Sequence, residues 1–343
     1  MLTAVNYSLR RLNTFGLDVR TRAYLDARNP SDIEDLYRSS SHGPIPKLVL
    51  GGGSNVLFRS DFDGVVVQLG GFDRIERVRQ DGDRVWLDVG AGVPWSVLTR
   101  HCLDAGFAGI ERLSGIPGTV GASPIQNIGA YGMEVGQCIA SVSAYDSHRH
   151  AFVTITADAC GFGYRDSIFK SRHAGRFVIL AVRIVLKQSR TAVVGDEKVA
   201  MELACLPSMR IGIRDISEAV CRIRARRLPD PNHLGNAGSF FVNPTVPSLA
   251  ADRLTSLHPE MPRYPLGHGH TKLSAGWLIE QCGFKGKRFG KVGVYQHNPL
   301  VVVNHGGASG DEIYALGGKL RQAVAERFDL DLVMEPIVLG EGQ

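Results

Sequence analysis

The sequence of 343 residues has no long apolar run, no closely spaced cysteine pair and no dominating charge. Nothing approaches the ~18–20 apolar residues of a membrane-spanning helix, so no membrane role is expected. The stretch MLTAVNYSLRRLNTFG at the start lacks the apolar centre of a secretory signal, and a cytoplasmic location is expected. Six cysteines stand at 102, 138, 160, 205, 221 and 282, none in CxxC spacing. That spacing points to neither a zinc site nor a redox dithiol, so no metal is expected, and isolated buried thiols in a reducing compartment fit best. The net charge of +5 favours anionic small molecules and is too weak to argue for nucleic acid. The basic run RIRARR (222–227) reads as a solvated helix face. Glycine is what the chain has in excess, with 40 residues in clusters. Clustered glycine suggests loops that wrap a ligand. The length accommodates two or three domains.

Short Val- and Leu-rich runs broken by Gly and Asp read as strands: KLVL and NVLF around a glycine loop, DGVVVQL (63–69), RVWLDVGAG (84–92), SVSAYDS, FVTITA and RFVILAVRIVLK. PWSVLTRHCLDAG (94–106) opens with Pro and closes with Gly, and Val97, Leu98, Cys102 and Leu103 recur at helical spacing. Residues 109–136 form a long loop-rich segment, a length usually associated with function. DISEAVCRIRARRLPDP (215–231) predicts a helix with Asp215 and Glu218 at capping-box spacing, stopping before Pro229. KLSAGWLIEQCG reads as helical, and KVGVYQHNPLVVVN as strand with a turn. In SGDEIYALGGKLRQAVAERF, Ile313, Leu316, Leu320, Val324 and Phe328 share one face and Ser309 with Glu312 makes a capping box. DLVMEPIVLG reads as a last strand carrying Glu335. Strands and helices do not alternate regularly, so the class is α+β rather than a doubly wound sheet.

Two glycine-rich loops carry the ligand argument. In GGGSNVLF (51–58) the backbone is bare enough to approach a pyrophosphate, and successive N–H groups can form an anion nest. A plain structural turn fits the same residues, and GxGxxG chemistry is excluded because a strand, not a helix, comes next. GIPGTVGASPIQNIGAYG (115–132) is a second such loop; a pair of structural Ω-loops is its bland reading. In FGYRDSIFK (162–170), Arg165 suits a carboxylate or enolate because its planar fork donates two parallel hydrogen bonds. An ordinary surface pair with Asp166 is the alternative. Ser239 in NAGSF lacks the GxSxG pattern and an evident base, so it is either a structural serine or a proton donor. Glu335 in VMEP, by itself, is a strand-end carboxylate.

Taken together and in order, NTFG, GGGSNVLF, IPGTVGASPIQNIGAYG, FGYRDSIFK, LPDP, GNAGSFFVNP, AGWLIEQCG and MEP resemble the UDP-N-acetylenolpyruvoylglucosamine reductase family, the flavoenzymes of bacterial peptidoglycan precursor synthesis, in their longer, enterobacterial-type branch. The resemblance implies a two-part FAD-binding body of the vanillyl-alcohol-oxidase (PCMH) type plus a C-terminal α+β substrate-binding domain. It suggests subdomains at residues 1–68 and 69–228, a substrate domain at 229–328, and residues 329–343 returning to the body. It implies NADPH as reductant, a UDP-sugar substrate, non-covalent FAD and a monomer. Hydride would pass from flavin N5 to C3 of the enolpyruvyl group, Ser239 would protonate C2, and Arg165 and Glu335 would stabilise the enolate.

The same resemblance assigns FAD contacts to Gly51, Gly52, Gly53, Ser54, Asn55, Val56, Pro117, Gly118, Gly121, Ser123, Ile125, Asn127, Gly129 and Ile179. Substrate contacts fall on Tyr164, Arg227, Asn243, Lys272, Lys285 and Asn298. The pattern departs from the family at three places. Val194 stands where a substrate-closing tyrosine is common, Arg227 where lysine is common, and Asn298 where glutamine is common.

Overall fold

The computed structural model describes residues 4–39, 45–204 and 211–340; Cys205 lies outside them. The chain sorts into two compact units. The described residues of Met1–Tyr7, Thr21–Gly52 and Asp63–Arg224 form the first, and those of Ser8–Arg20, Gly53–Phe62 and Ala225–Gln343 the second.

The described residues of the first unit form two main sheets and a two-stranded pair, Gly129–Ala130 with Met133–Glu134. The smaller runs in the order Ala4–Ser8, Arg20–Asp26, Phe62–Gln68, Lys47–Val49, with the last two strands parallel. Helix Pro30–Arg38 packs Ile33 and Leu36 into the same core as Val65 and Val67. Its start is set by Asn29 and Asp32, which cap each other's backbone N–H, and by proline at the first turn. The larger sheet runs Ala151–Thr156, Ile139–Asp146, Phe177–Gln188, Arg84–Gly90, Ile75–Asp81, all antiparallel, with Phe107–Ala108 joining Phe177–Gln188. In Arg84–Gly90 every second side chain, Val85, Leu87 and Val89, is buried, as a pleated strand with one covered face requires.

Helix Trp95–Ala105 lays Trp95, Leu98, Thr99 and Cys102 on that core and ends on Gly106, whose φ of 75° closes it. Val97 is a correction to the sequence reading. It lies off this stripe and is 49% exposed.

Helix Ile213–Arg227 begins two residues before Asp215. Asp215 accepts the Gly212 N–H at 2.8 Å, so the cap runs backward from Asp215 rather than forward to Glu218 as the spacing suggested. The helix ends ahead of Leu228 and Pro229, since proline disfavours helical backbone in the residue before it. Cys221, on this helix, is exposed, against the expectation of buried thiols; Cys102 and Cys160 are buried, and Cys138 and Cys282 half-buried. Burial pushes the Cys102 thiol up to about 12 and Cys160 up to about 11, which leaves both unreactive.

The second unit holds a four-stranded sheet ordered Gly235–Ser239, Val301–Asn304, Val292–Val294, Arg288–Phe289, and a three-stranded one ordered Thr245–Pro247, His270–Leu273, Arg263–Gly267. Strand Val56–Phe58 pairs in parallel with Ile337–Leu339. Glu335 therefore precedes the last strand instead of lying within it. Helix Gly310–Phe328 buries the five predicted side chains and carries the Ser309–Glu312 capping box. Helices Ser248–Leu257 and Ala275–Gln281 complete the unit. Among the described residues no helix is long and apolar enough to cross a membrane, and no group of three or more His, Cys, Asp or Glu could hold a metal ion.

Candidate active site

In the first unit the two glycine loops meet. A Cβ on Gly52 would stand 2.9 Å from the Gly118 Cα, and one on Gly51 would stand 2.6 Å from Thr119 Oγ1. The backbone contact at Gly52 admits glycine alone, and at Gly51 the Thr119 side chain would have to shift, so part of the glycine signal reflects loop against loop rather than loop against ligand. The second loop is also stitched to residues 91–95, just beyond strand Arg84–Gly90. Gly121 N–H donates to the Ala91 carbonyl at 3.0 Å, Val120 to Val93 at 2.9 Å, and Trp95 to Gly118 at 3.0 Å.

Between these segments lies a cavity of about 220 Å³. Its walls are apolar side chains (Val49, Leu50, Leu69, Ile125, Phe177, Ile179), bare or small positions (Gly51, Gly70, Ala91, Gly92, Gly121, Ala122) and three polar residues, Asp26, Gln68 and Thr119. Gly51, Gly121, Ile125 and Ile179 were foreseen as cofactor contacts. Asp26, Gln68 and Phe177 were not. The available signal was positional: a polar residue closing an apolar strand, as Gln68 closes DGVVVQ. An apolar slot with a few polar groups and exposed backbone suits a flat heteroaromatic ligand that carries phosphates.

Arg165 lies in the same unit. Gly163 and Asp166 exchange both backbone hydrogen bonds, at 2.9 and 3.1 Å, around a tight turn of which Arg165 is the third residue. Its φ is +55°, a region usually left to Gly or Asn in such a turn. The guanidinium donates from Nη2 to the Gly129 carbonyl at 2.7 Å and lies 5.5 Å from the Tyr164 ring centre. Lys170 Nζ donates to the Arg165 carbonyl at 3.1 Å. Neighbouring bonds hold the left-handed backbone in place. A second guanidinium, Arg224, donates to Gly115 at 3.1 Å. Burial, together with the charge of Arg165, lowers its pKa.

In the second unit, Ser239 comes directly after a bulge. Strand Gly235–Ser239 slips by one residue against Val301–Asn304 between Asn236 and Ser239, and Gly238 takes φ +69° there. Asn236 locks the bulge. Its Nδ2 donates to the Pro229 and Leu234 carbonyls and its Oδ1 accepts the Gly238 N–H at 2.9 Å. Bulges re-aim the side chain next to them. The next residue, Phe240, is buried and its carbonyl accepts the Glu335 N–H at 3.0 Å. Asn55 brackets the same point: its Nδ2 donates to the Glu335 carbonyl at 3.2 Å and its carbonyl accepts the Ile337 N–H at 2.9 Å. Three segments far apart in sequence, SN, GSFF and MEP, thus share one hydrogen-bonded junction.

Other predicted residues have structural employment. Asn127, buried with φ +47°, donates to Glu134 and the Gly163 carbonyl and accepts from Gly136. Ser123 donates to the Val120 carbonyl at 2.7 Å. Asn243 accepts the Ala275 N–H at 3.0 Å and Asn298 that of Leu300 at 3.2 Å. Lys285 pairs with Glu280 at 2.6 Å, and Lys272 lies over the Tyr264 ring at 5.5 Å. Arg227 is the exposed last residue of its helix. Val194 packs with Tyr131 against the apolar face of that helix.

Residues 230–339 match the C-terminal domain model of UDP-N-acetylenolpyruvoylglucosamine reductase, and residues 21–148 match an FAD binding domain. The UDP-N-acetylenolpyruvoylglucosamine reductase of Amoebophilus asiaticus is 43% identical over 333 residues, covering 97% of both chains. The chain belongs to this reductase family. The reductase of an Azoarcus species is 46% identical over 330 residues, covering 95% of this chain and 94% of the relative. The crystal structure of the Thermus caldophilus reductase, at 24% identity, shares the fold with a TM-score of 0.68 over 99% of this chain and all of that one. The fold class read from the sequence, an α+β FAD-binding body with a C-terminal reductase-family domain, holds. The FAD-binding segment contains the first glycine loop, Asp26, Gln68 and residues 117–129.

Proposed function

We propose that this chain performs the reaction its relatives are named for, reducing the enolpyruvyl group of UDP-N-acetylglucosamine enolpyruvate to UDP-N-acetylmuramate in peptidoglycan precursor synthesis. NADPH is the reductant, FAD the non-covalent cofactor, and the protein works as a cytoplasmic monomer. The bare backbone of Gly51 and Gly121 and the apolar slot beside them fit a dinucleotide, with Ile125 and Ile179 as its apolar contacts. FAD, when bound, supplies the two-electron chemistry between NADPH and the substrate's vinyl carbon C3.

The remaining work falls to side chains. Arg165 binds the substrate carboxylate, where negative charge grows as C3 is reduced, and its preorganised fork stabilises the enolate. Ser239 is the proton donor: its Oγ–H bond breaks as the C2–H bond forms. Glu335 acts in its protonated form, because a second anion would repel the enolate. Tyr164, Arg227, Asn243, Lys272, Lys285 and Asn298 orient the nucleotide sugar.

The observation that carries this reading is the bond from the Glu335 N–H to the Phe240 carbonyl. It joins the segments of the proposed proton donor and its acidic neighbour. The test is Ser239→Ala. Purified wild-type protein should show oxidised-flavin absorption that NADPH bleaches. In the variant that bleaching should persist while reduction of the enolpyruvyl nucleotide falls about 10²–10⁴-fold, the usual weight of a positioned acid. Unchanged turnover would remove Ser239 from the mechanism.

A further inference from the structure

Four positions on neighbouring strands of the first unit's smaller sheet are joined in a line. Tyr7, Tyr24 and Gln68 sit on Ala4–Ser8, Arg20–Asp26 and Phe62–Gln68, and Gly51 comes just after Lys47–Val49, the next strand across. The Tyr7 and Tyr24 rings stack, with centroids 4.2 Å apart and planes 13° from parallel. The Tyr24 hydroxyl donates to Gln68 Oε1 at 2.9 Å. Gln68 Nε2 donates to the Gly51 carbonyl at 3.3 Å. Both Gln68 and Gly51 line the apolar cavity beside the glycine loops, and neither tyrosine does.

The second bond decides which way the amide faces. Turned over, Gln68 would set its own oxygen against the Gly51 carbonyl oxygen, two acceptors with no proton between them. The oxygen therefore belongs to Tyr24 and the nitrogen to the carbonyl of Gly51, which with Gln68 lines the cavity. Tyr24 is 8% exposed. Burial first, then the Asp26 carboxylate and Tyr7, push its phenol up to about 12, so it stays a donor throughout the working pH range. The nitrogen carries two N–H groups, of which Gly51 takes one.

We infer that Tyr24 is a positioning residue for the cofactor: it fixes the Gln68 amide so that an N–H donor is presented to the cavity, and through the same amide it holds Gly51 in place. The ligand atom served is a hydrogen-bond acceptor of a dinucleotide, a heteroaromatic nitrogen, carbonyl or hydroxyl oxygen. This rests on the proposed function, in which FAD occupies the cavity. Tyr7 supports the arrangement by packing against the Tyr24 ring.

The full chain loaded with FAD is diluted, and released flavin is tracked by its rise in fluorescence, for wild type, Tyr24→Phe, Gln68→Met and the double variant. Tyr24→Phe keeps the stacked ring and removes only the hydroxyl; Gln68→Met keeps length and removes the amide. Each single variant should release FAD at a dissociation constant about fivefold higher, the loss typical of one hydrogen bond. The double variant should be no weaker than Gln68→Met, because the hydroxyl acts only through the amide. Equal constants for wild type and Tyr24→Phe overturn the inference. So does a Tyr24→Phe loss that persists undiminished beside Gln68→Met, which would signal general loosening of the sheet. Wild-type protein that retains no flavin overturns the cofactor reading and this inference with it, and is told apart because no variant is then needed to see it.

Discussion

Arg165, in the first unit, occupies the left-handed backbone region itself. Ser239, in the second, stands one residue after Gly238, which occupies that region in its place. Both residues sit at a sharp local turn of the chain, a tight β-turn in one case and a β-bulge in the other. At Arg165 the strain falls on the proposed enolate-stabilising residue itself, and the exchange of bonds between Gly163 and Asp166, with Lys170 on its carbonyl, holds it there. At Ser239 the strain is absent, because glycine adopts positive φ without a steric penalty, and Asn236 fixes the bulge. The difference teaches that a long side chain can be aimed by its own dihedrals, whereas a one-carbon side chain such as serine is aimed by the backbone before it.

The comparison can be broken most strongly at Arg165. Arg165→Lys keeps the charge and loses the planar fork, and turnover of the enolpyruvyl substrate should fall about 10²–10³-fold, as when a preorganised donor to a developing oxyanion is removed. Activity within tenfold of wild type would show that charge alone suffices.

A smaller effect is expected at the bulge. Among the described residues, its two chain neighbours aside, no heavy atom lies within 4 Å of a Cβ built on Gly238, so Gly238→Ala meets only the dihedral penalty, about 1–2 kcal/mol. Denaturant unfolding should report that loss, and a neutral result would mean the bulge relaxes.

The smallest effect sharpens the contrast. Arg165→Gly and Arg165→Ala both remove the side chain, so their difference isolates the backbone. Glycine should be the more stable by about 1 kcal/mol or less, the reverse of its behaviour in a helix interior. Thermal melts of the two variants check this, and an alanine variant that melts higher would place the strain elsewhere.

Much of the frame was legible in residue order. Ser309 and Glu312 announced the start of helix Gly310–Phe328, and its apolar face could be read from spacing of three and four. NVLF after the first glycine loop argued strand and thereby excluded a helix-opening fingerprint. Local signals misled where two offered the same pattern. Asp215 with Glu218 looked like a forward cap, but Gly212 lay just upstream and the helix reached back to it. Val97 and Leu98 both suited an apolar stripe, and only the neighbouring sheet could choose Leu98. Cys221 faces solvent because its helix buries Ile216, Val220 and Ile223 instead.

At the proposed site the limits were of another kind. Motif order was enough to nominate Arg165, Ser239 and Glu335, since residue type and local company are written in the chain. It could not say that the glycines of the two loops face each other, or that Asp26, Gln68 and Phe177 share their cavity. Nor could it reveal that Asn127 bonds to Glu134, Gly136 and Gly163 in holding its loop.

Short-range chemistry determined the elements of this protein. Turn residues, caps and apolar periodicity act within a few positions, and their energies do not depend on how distant segments meet. The tertiary structure alone decided the cavity wall and the junction of Asn55, Phe240 and Glu335. Each of these requires backbone groups tens to hundreds of residues apart to be satisfied at once. That condition is met by the packed chain as a whole and by no window of its sequence.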